Sequence, residues 1–253
     1  MRETVLLCKC ASGGVLPGKN VEDVLDRLSG RGVRTVVTED LCRMVQARHP
    51  LLRELAKEGR LTIIACYPRA VRWLFHQAGI SLDADRRRII NIRLSDCGDI
   101  EDLLPGGRGR TENRDIVVAE EVAGETAGWF PVLDYDRCVN CRQCLNFCPF
   151  GVYSLSGDGV VTVDYPLKCK DNCPACALMC PSAAIMFPKA RQSPIEGAEV
   201  SDEELRRRKT DSLARKLKDG DLHSILAERR KKAMRRCSAD PCGVPSREER
   251  RAE

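Results

Sequence analysis

The stretch from Cys138 to Cys180 constrains this chain more than any other. Its first half, C-V-N-C-R-Q-C-L-N-F-C-P, places Cys138, Cys141, Cys144 and Cys148 ahead of Pro149. Its second half, C-K-D-N-C-P-A-C-A-L-M-C-P, places Cys169, Cys173, Cys176 and Cys180 ahead of Pro181. Two intervening residues let a loop turn back on itself, so that successive thiolates reach three corners of one cubane. The fourth corner has to come from elsewhere in the chain. This is two-cluster iron–sulfur spacing, in which each half's fourth cysteine ligates the other half's cluster. The expected sets are Cys138, Cys141, Cys144 and Cys180 for one [4Fe–4S] cluster, and Cys148, Cys169, Cys173 and Cys176 for the other. Three residues separate Cys169 from Cys173, which adds a bulge to that loop. Zinc sites pair C-x2-C knuckles without exchanging ligands through a C-P step, and disulfides need an oxidising compartment. Crossed ligation makes each cluster a staple, so this module is not expected to hold its fold without iron.

The chain carries 15 cysteines in 253 residues, far more than a reducing cytoplasm tolerates unless metal holds most of them. The N-terminal apolar run is too short for a signal peptide, and no stretch approaches the ~18 apolar residues of a membrane span. A soluble cytoplasmic protein is expected. The net charge of +5 gathers after residue 200, in Arg206, Arg207, Arg208 and the run Arg229, Arg230, Lys231, Lys232, Arg235 and Arg236. Such a run suits a solvated helix face or an acidic partner. With aromatics at 4%, there is no stacking surface to favour nucleic acid. His49, His76 and His223 share no motif.

Before the cysteine-rich stretch, short β-branched runs alternate with helical ones. Strands are expected at Thr4–Cys8, Val33–Thr38, Leu61–Cys66, Ile89–Arg93 and Ile116–Ala119. Helices are expected at Val21–Leu28, capped by Asn20, at a segment reaching about Glu58 that Pro50 interrupts, and at Ala70–Ala78. The alternation implies a parallel sheet sandwiched by helices. Cys8 and Cys10 follow the first strand, Cys42 lies in the turn after the second and Cys66 ends the third, so all four fall at the carboxyl edge of that sheet, where open α/β folds place ligands. Two readings stand for them: a third iron–sulfur cluster, or small buried hydrophobes. Gly13 to Asn20 matches G-x-x-x-x-G-K, but Asn20 stands where a phosphate loop needs Ser or Thr, so no nucleotide is expected there.

The segments V-L-L-C-K-C-A-S-G-G, Leu41-Cys42 and T-I-I-A-C-Y-P-R resemble the N-terminal domain of the flavin-bearing component of heterodisulfide reductase. The resemblance covers about the first hundred residues and marks Cys8, Cys10, Cys42, Cys66, Pro68 and Arg69; Tyr67 departs from the family's Ser or Thr. The cysteine-rich stretch resembles bacterial-type ferredoxins with two [4Fe–4S] clusters. The flavin domain that follows in the heterodisulfide reductase component is missing: Gly106-Gly107-Arg108-Gly109 lacks the strand before it, so flavin and electron bifurcation are not carried over.

The expected organisation is an α/β domain over 1–125, an α+β two-cluster ferredoxin domain over 126–192, and a basic helical tail over 193–253 with a disordered end. Val132–Tyr135 and Val160–Asp164 begin the two ferredoxin halves. Val139, Leu145, Phe147, Val152, Leu178 and Ile185 are expected to keep water off the sulfurs. Ser201 to Glu204 reads as a capping box opening the tail; Cys237 and Cys242 are expected to be spare thiols, and Cys97 either a spare thiol or an alternative ligand should Cys42 not be one. With no flavin site, metal-hydride ligands or acid–base pair, this chain is expected to pass single electrons rather than catalyse. Its expected partners are a flavoenzyme, a hydrogenase or heterodisulfide-reductase-like subunits. The alternatives are thiol–disulfide chemistry at Cys8 and Cys10, as an enzyme or sensor, and a basic nucleic-acid-associated iron–sulfur protein.

Overall fold

The computed structural model describes residues 3–205 apart from 12, 15–17, 30, 84, 95–99, 101, 105–115, 121 and 123–127. Cys97, Cys237, Cys242, His223 and the basic run after 205 lie outside the described residues. The chain divides into two units, Met1–Val200 and Ser201–Glu253. Of the second, the described part is the helix start after Ser201, whose hydroxyl accepts from the N–H of Glu204 at 3.2 Å, the capping bond the sequence announces.

In the first unit, β1 (Glu3–Cys8), β2 (Arg34–Thr38), β3 (Arg60–Ala65), β4 (Arg87–Asn91) and β5 (Ile116–Val118) form a sheet in the order β4-β3-β1-β2-β5. Every neighbouring pair is parallel. Burial follows position: β1, β2 and β3 are buried almost end to end, whereas the edge strands β4 and β5 are half-exposed. Continuous apolar runs are what a strand covered on both faces requires.

The two faces carry separate cores. Val5, Leu7 and Ile64 point towards α1 (Gly18–Ser29), packing with Val21, Val24 and Leu28. Leu6, Ile63 and Ala65 point the other way, towards α2 (Leu41–Gln46), α3 (Pro50–Ala56) and α4 (Pro68–Gln77). Pro50 divides α2 from α3 as expected, by occupying the start of a new helix where its missing N–H costs nothing. Two expectations are corrected. Asn20 lies inside α1 rather than capping it, because the helix starts at Gly18. Cys42 sits in the first turn of α2 rather than in the turn before it; Asp40 supplies the cap, accepting from the N–H of Arg43.

The cysteine-rich segment folds as β6 (Val132–Leu133), α5 (Gln143–Phe147), β7 (Tyr153–Leu155), β8 (Val161–Val163), a 3₁₀ turn (Pro166–Lys168), α6 (Ala175–Met179) and β9 (Ile185–Met186). β7 and β8 form an antiparallel hairpin, and β6 pairs antiparallel with β9. That second ladder is a wall with two faces. The paired Val132 and Met186 belong to the core under α2 and α4. The paired Leu133 and Ile185 belong to a third core with Val152, Tyr153, Cys176 and Phe187.

Three buried ion pairs cross the same junction. Arg69 at the start of α4 meets Asp134 at 2.6 Å, Asp40 meets Lys189 at 2.5 Å, and Arg93 meets Glu196 at 3.3 Å. Arg69 also donates to the carbonyls of Ala183 and Ala198. The chain passes α4 so closely at Gly197 that a Cβ there would stand 2.6 Å from that of Ala70, and its φ of +110° excludes most other residues. Exchanging Arg69 for methionine strands Asp134 without its counter-ion. R69M should therefore lower the unfolding free energy by about 3–5 kcal/mol, seen as a fall in the denaturation midpoint. An unmoved midpoint in R69M would show that the pair carries no weight.

Candidate iron–sulfur centres

The two cysteine runs fold by one local grammar. In α5 and α6 the second residue is a cysteine, Cys144 or Cys176, and the residue after the helix is another, Cys148 or Cys180. Proline disfavours helical backbone in the residue before it. Cys148 and Cys180 accordingly turn extended, at ψ 113° and 117°, and the helices end after five residues. Earlier in each run an asparagine stands directly before the second cysteine. Asn140 and Asn172 have φ of 49° and 56°, a left-handed turn that asparagine tolerates better than most residues. Asn140 also bonds the carbonyl of Gly159 and the N–H of Val161, tying its loop to β8. These asparagines escape a reading of cysteine spacing alone, although their repetition in both halves is a signal.

The eight thiols gather in two crossed sets. Cys138, Cys141, Cys144 and Cys180 line one hollow, walled by Leu133 and Ile185. Cys148, Cys169, Cys173 and Cys176 line the other, walled by Val152 and Tyr153. Among the described residues no group of three or more His, Cys, Asp or Glu closes tightly enough for a single metal ion. Each set of four lines a hollow of its own, which suits a multi-iron cluster.

Each set is an electrostatic unit. Burial pushes the Cys144 thiol up to about 12, against a lowering bond from the N–H of Leu145, with Cys180 and Cys138 adding to the rise. Burial likewise lifts Cys169 to about 12, with Cys176, Cys148 and Cys173 contributing. Cys176 reaches about 11 by burial, opposed by the Tyr153 hydroxyl and the N–H of Ala177. Burial thus opposes ionisation of Cys144, Cys169 and Cys176, and cluster iron bound among them would supply the positive charge that holds such sulfurs as thiolates. The N–H of Ala184, 3.2 Å from the Cys180 sulfur, is the kind of donor that stabilises them. Donor chemistry and disposition both fit iron–sulfur clusters.

The apolar shield is only partly as expected. Val152 and Ile185 are buried, but Val139 and Leu178 are 67% and 62% exposed and Phe147 is nearly half so. Phe147 ends α5 and Leu178 lies in α6, on the sides of those helices that are turned to water, and Val139 sits in the loop before α5.

Cys8, Cys10, Cys42 and Cys66 come together as well. In the order β4-β3-β1-β2-β5 the chain leaves β1 towards β2 and leaves β3 towards β4, so a crevice opens between the carboxyl ends of β1 and β3. Cys8 closes β1, Cys10 follows it at φ 51°, and Cys66 follows β3. All four are buried. Burial raises Cys66 to about 12, with Cys10 adding and Arg93 opposing. It raises Cys10 to about 11, with Asp40 adding and Lys189 and Arg93 opposing. Cys8 and Cys42 are pushed up well beyond the ordinary thiol range by burial, and each also feels Cys10 and Cys66. The N–H of Leu41 lies 3.3 Å from the Cys8 sulfur. At Gly13 a Cβ would press on the Cys10 sulfur at 3.0 Å and on the Lys189 side chain at 3.2 Å, so a larger residue would require those neighbours to give way. Part of the phosphate-loop look-alike thus packs against Cys10, although residues 15–17 lie outside the described residues. Sequence reasoning missed Lys189, Asp40 and Arg93, whose roles depend on chain that folds back from beyond Cys180.

Residues 130–153 match the 4Fe-4S binding domain family. An uncharacterized ferredoxin of Methanocaldococcus jannaschii is 51% identical over 51 residues, 20% of this chain and 34% of that protein. A pyruvate synthase subunit of the same organism is 40% identical over 53 residues, 19% of this chain and 62% of that protein. A ferredoxin of Methanothermococcus thermolithotrophicus is 36% identical over 53 residues, 18% of this chain and 88% of that protein. The matches thus span less than two thirds of the first two relatives. No solved structure matches this chain.

Proposed function

Since the chain belongs to the ferredoxin family by its cysteine-rich segment, we propose that it is an electron-carrying subunit of an oxidoreductase complex. One [4Fe–4S] centre is held by Cys138, Cys141, Cys144 and Cys180, and a second by Cys148, Cys169, Cys173 and Cys176. A third is held by Cys8, Cys10, Cys42 and Cys66. The observation that carries the reading is the crossed grouping of thiols around two hollows, with a further four thiols in the crevice of the sheet. When bound, such clusters supply one-electron redox chemistry. The protein's part is to exclude water, donate backbone N–H to sulfur and fix the centres relative to one another. The wall of β6 and β9 and the three buried ion pairs support that last task. Exposed Cys141 brings the first centre nearest to solvent and so to a docked partner.

The resemblance of the first domain to the flavin-bearing component of heterodisulfide reductase points to a heterodisulfide-reductase-like or hydrogenase-linked complex. A flavoenzyme or hydrogenase would then be the neighbour in the chain of transfer, in the cytoplasm. Among the described residues no helix is long and apolar enough to cross a membrane. Thiol–disulfide chemistry at Cys8 and Cys10 is the less favoured reading. Reactive thiols are partly exposed and have lowered pKa values, whereas these are buried and raised.

Iron analysis of protein purified without oxygen should give about twelve atoms per chain, four for each cubane. Cys66→Ser should take the count towards about eight and leave the ferredoxin signals intact, while Cys180→Ser should alter a ferredoxin centre. About eight atoms in the unaltered protein, with four alkylatable thiols in the first domain, would return those cysteines to thiol chemistry. Native purification should bring another oxidoreductase component with the chain.

A further inference from the structure

Tyr153 stands on β7 with its ring in the core beside Cys176, Ala177 and Phe187, and it lines the hollow of the second cysteine set. The residue is 5% exposed, and its buried hydroxyl finds no hydrogen-bond partner. Cys176 shares that core and that hollow with it, and the two groups act on one another electrostatically. A phenol is placed in a protein interior only where its O–H reaches an acceptor, since an unmatched buried donor costs about 1–3 kcal/mol. Phenylalanine would fill the same space without that cost. The matching position after the other C-P step, five residues beyond Cys180 as Tyr153 is beyond Cys148, is Ile185, which has no donor. The first hollow has a hydroxyl of its own, Ser182, 3.6 Å from the Cys180 sulfur. Ser182 is partly exposed and can turn to water, whereas Tyr153 has nowhere else to turn.

We propose that the Tyr153 hydroxyl donates a hydrogen bond to the Cys176 sulfur and thereby raises the reduction potential of the centre held by Cys148, Cys169, Cys173 and Cys176. The inference rests on the cluster assignment above. A donor on a ligand sulfur withdraws charge from the cluster and favours the reduced, more negative state. Tyr153 is a positioning residue: it touches a ligand and leaves the iron alone.

The test is a reductive titration of the loaded, full-length protein followed by paramagnetic resonance. In Y153F, at unchanged iron content, one centre should become about tenfold less reduced at a fixed poise, about 59 mV for a one-electron couple, while the others stay put. Installing 3,5-difluorotyrosine at position 153, a stronger donor of similar shape, should move the same centre upward. A packing effect would not reverse sign between the two variants. Unmoved centres in both, or all centres moving together, would overturn the proposal and leave the cluster assignment standing. Unaltered protein that holds no iron and gives no signal after dithionite would overturn the assignment itself. Should Y153F fail to load, the fluorinated variant carries the test alone.

Discussion

The contact between Arg69 and Asp134 is the one on which the arrangement of the first unit turns. Two charges 4% exposed on each side cannot be left single in such a place, so neither half of the unit can adopt its final form without the other. Asp134 spends its remaining oxygen on the N–H groups of Asp136 and Arg137, and its carbonyl accepts the N–H of Cys138. The first cysteine of the first set is therefore positioned by the residue that anchors the helix after Cys66. One guanidinium links the mouth of the parallel sheet to the mouth of the cysteine-rich loop.

The other crossings reinforce this and add an electrostatic consequence. Lys189 and Arg93 bring positive charge to Cys10 and Cys66, while Asp40 and Glu196 balance it. Each of these pairs takes one member from the sheet domain and one from the chain after Ile185. The crevice between β1 and β3 is thus lined from below by the sheet and from above by the ferredoxin half. Tyr67, which departs from the pattern of the resembled family, fits this roof: its hydroxyl donates to Glu196 at 2.8 Å and its ring lies beneath Arg93.

Much of this is legible in the sequence because it follows from short-range rules. The five strands show as β-branched runs, Pro50 marks a helix boundary, and cysteine spacing alone sorts eight thiols into the two sets that line the two hollows. What escapes depends on residues distant in sequence. No local signal tells that Lys189 will meet Asp40, or that Arg69 is an anchor rather than a surface cation. The start of α1 misleads because asparagine is a good capping residue wherever it falls, and only the packing of Val21, Val24 and Leu28 decides where the helix begins. The outward turn of Val139 and Leu178 is hidden for a different reason: apolar side chains beside a cysteine suggest shielding, but the orientation of the loop or helix that carries them decides whether they shield.

The β6–β9 ladder carries a further implication for how such a chain can vary. Side chains alternate along a strand, so a slip of one residue would turn Leu133 towards the helices and Val132 towards the sulfurs, and exchange the lining of two cores at once. A single residue inserted between Val132 and Leu133 would put the strand out of phase with both neighbours, so the reading frame of this join is set by two side-chain pairs.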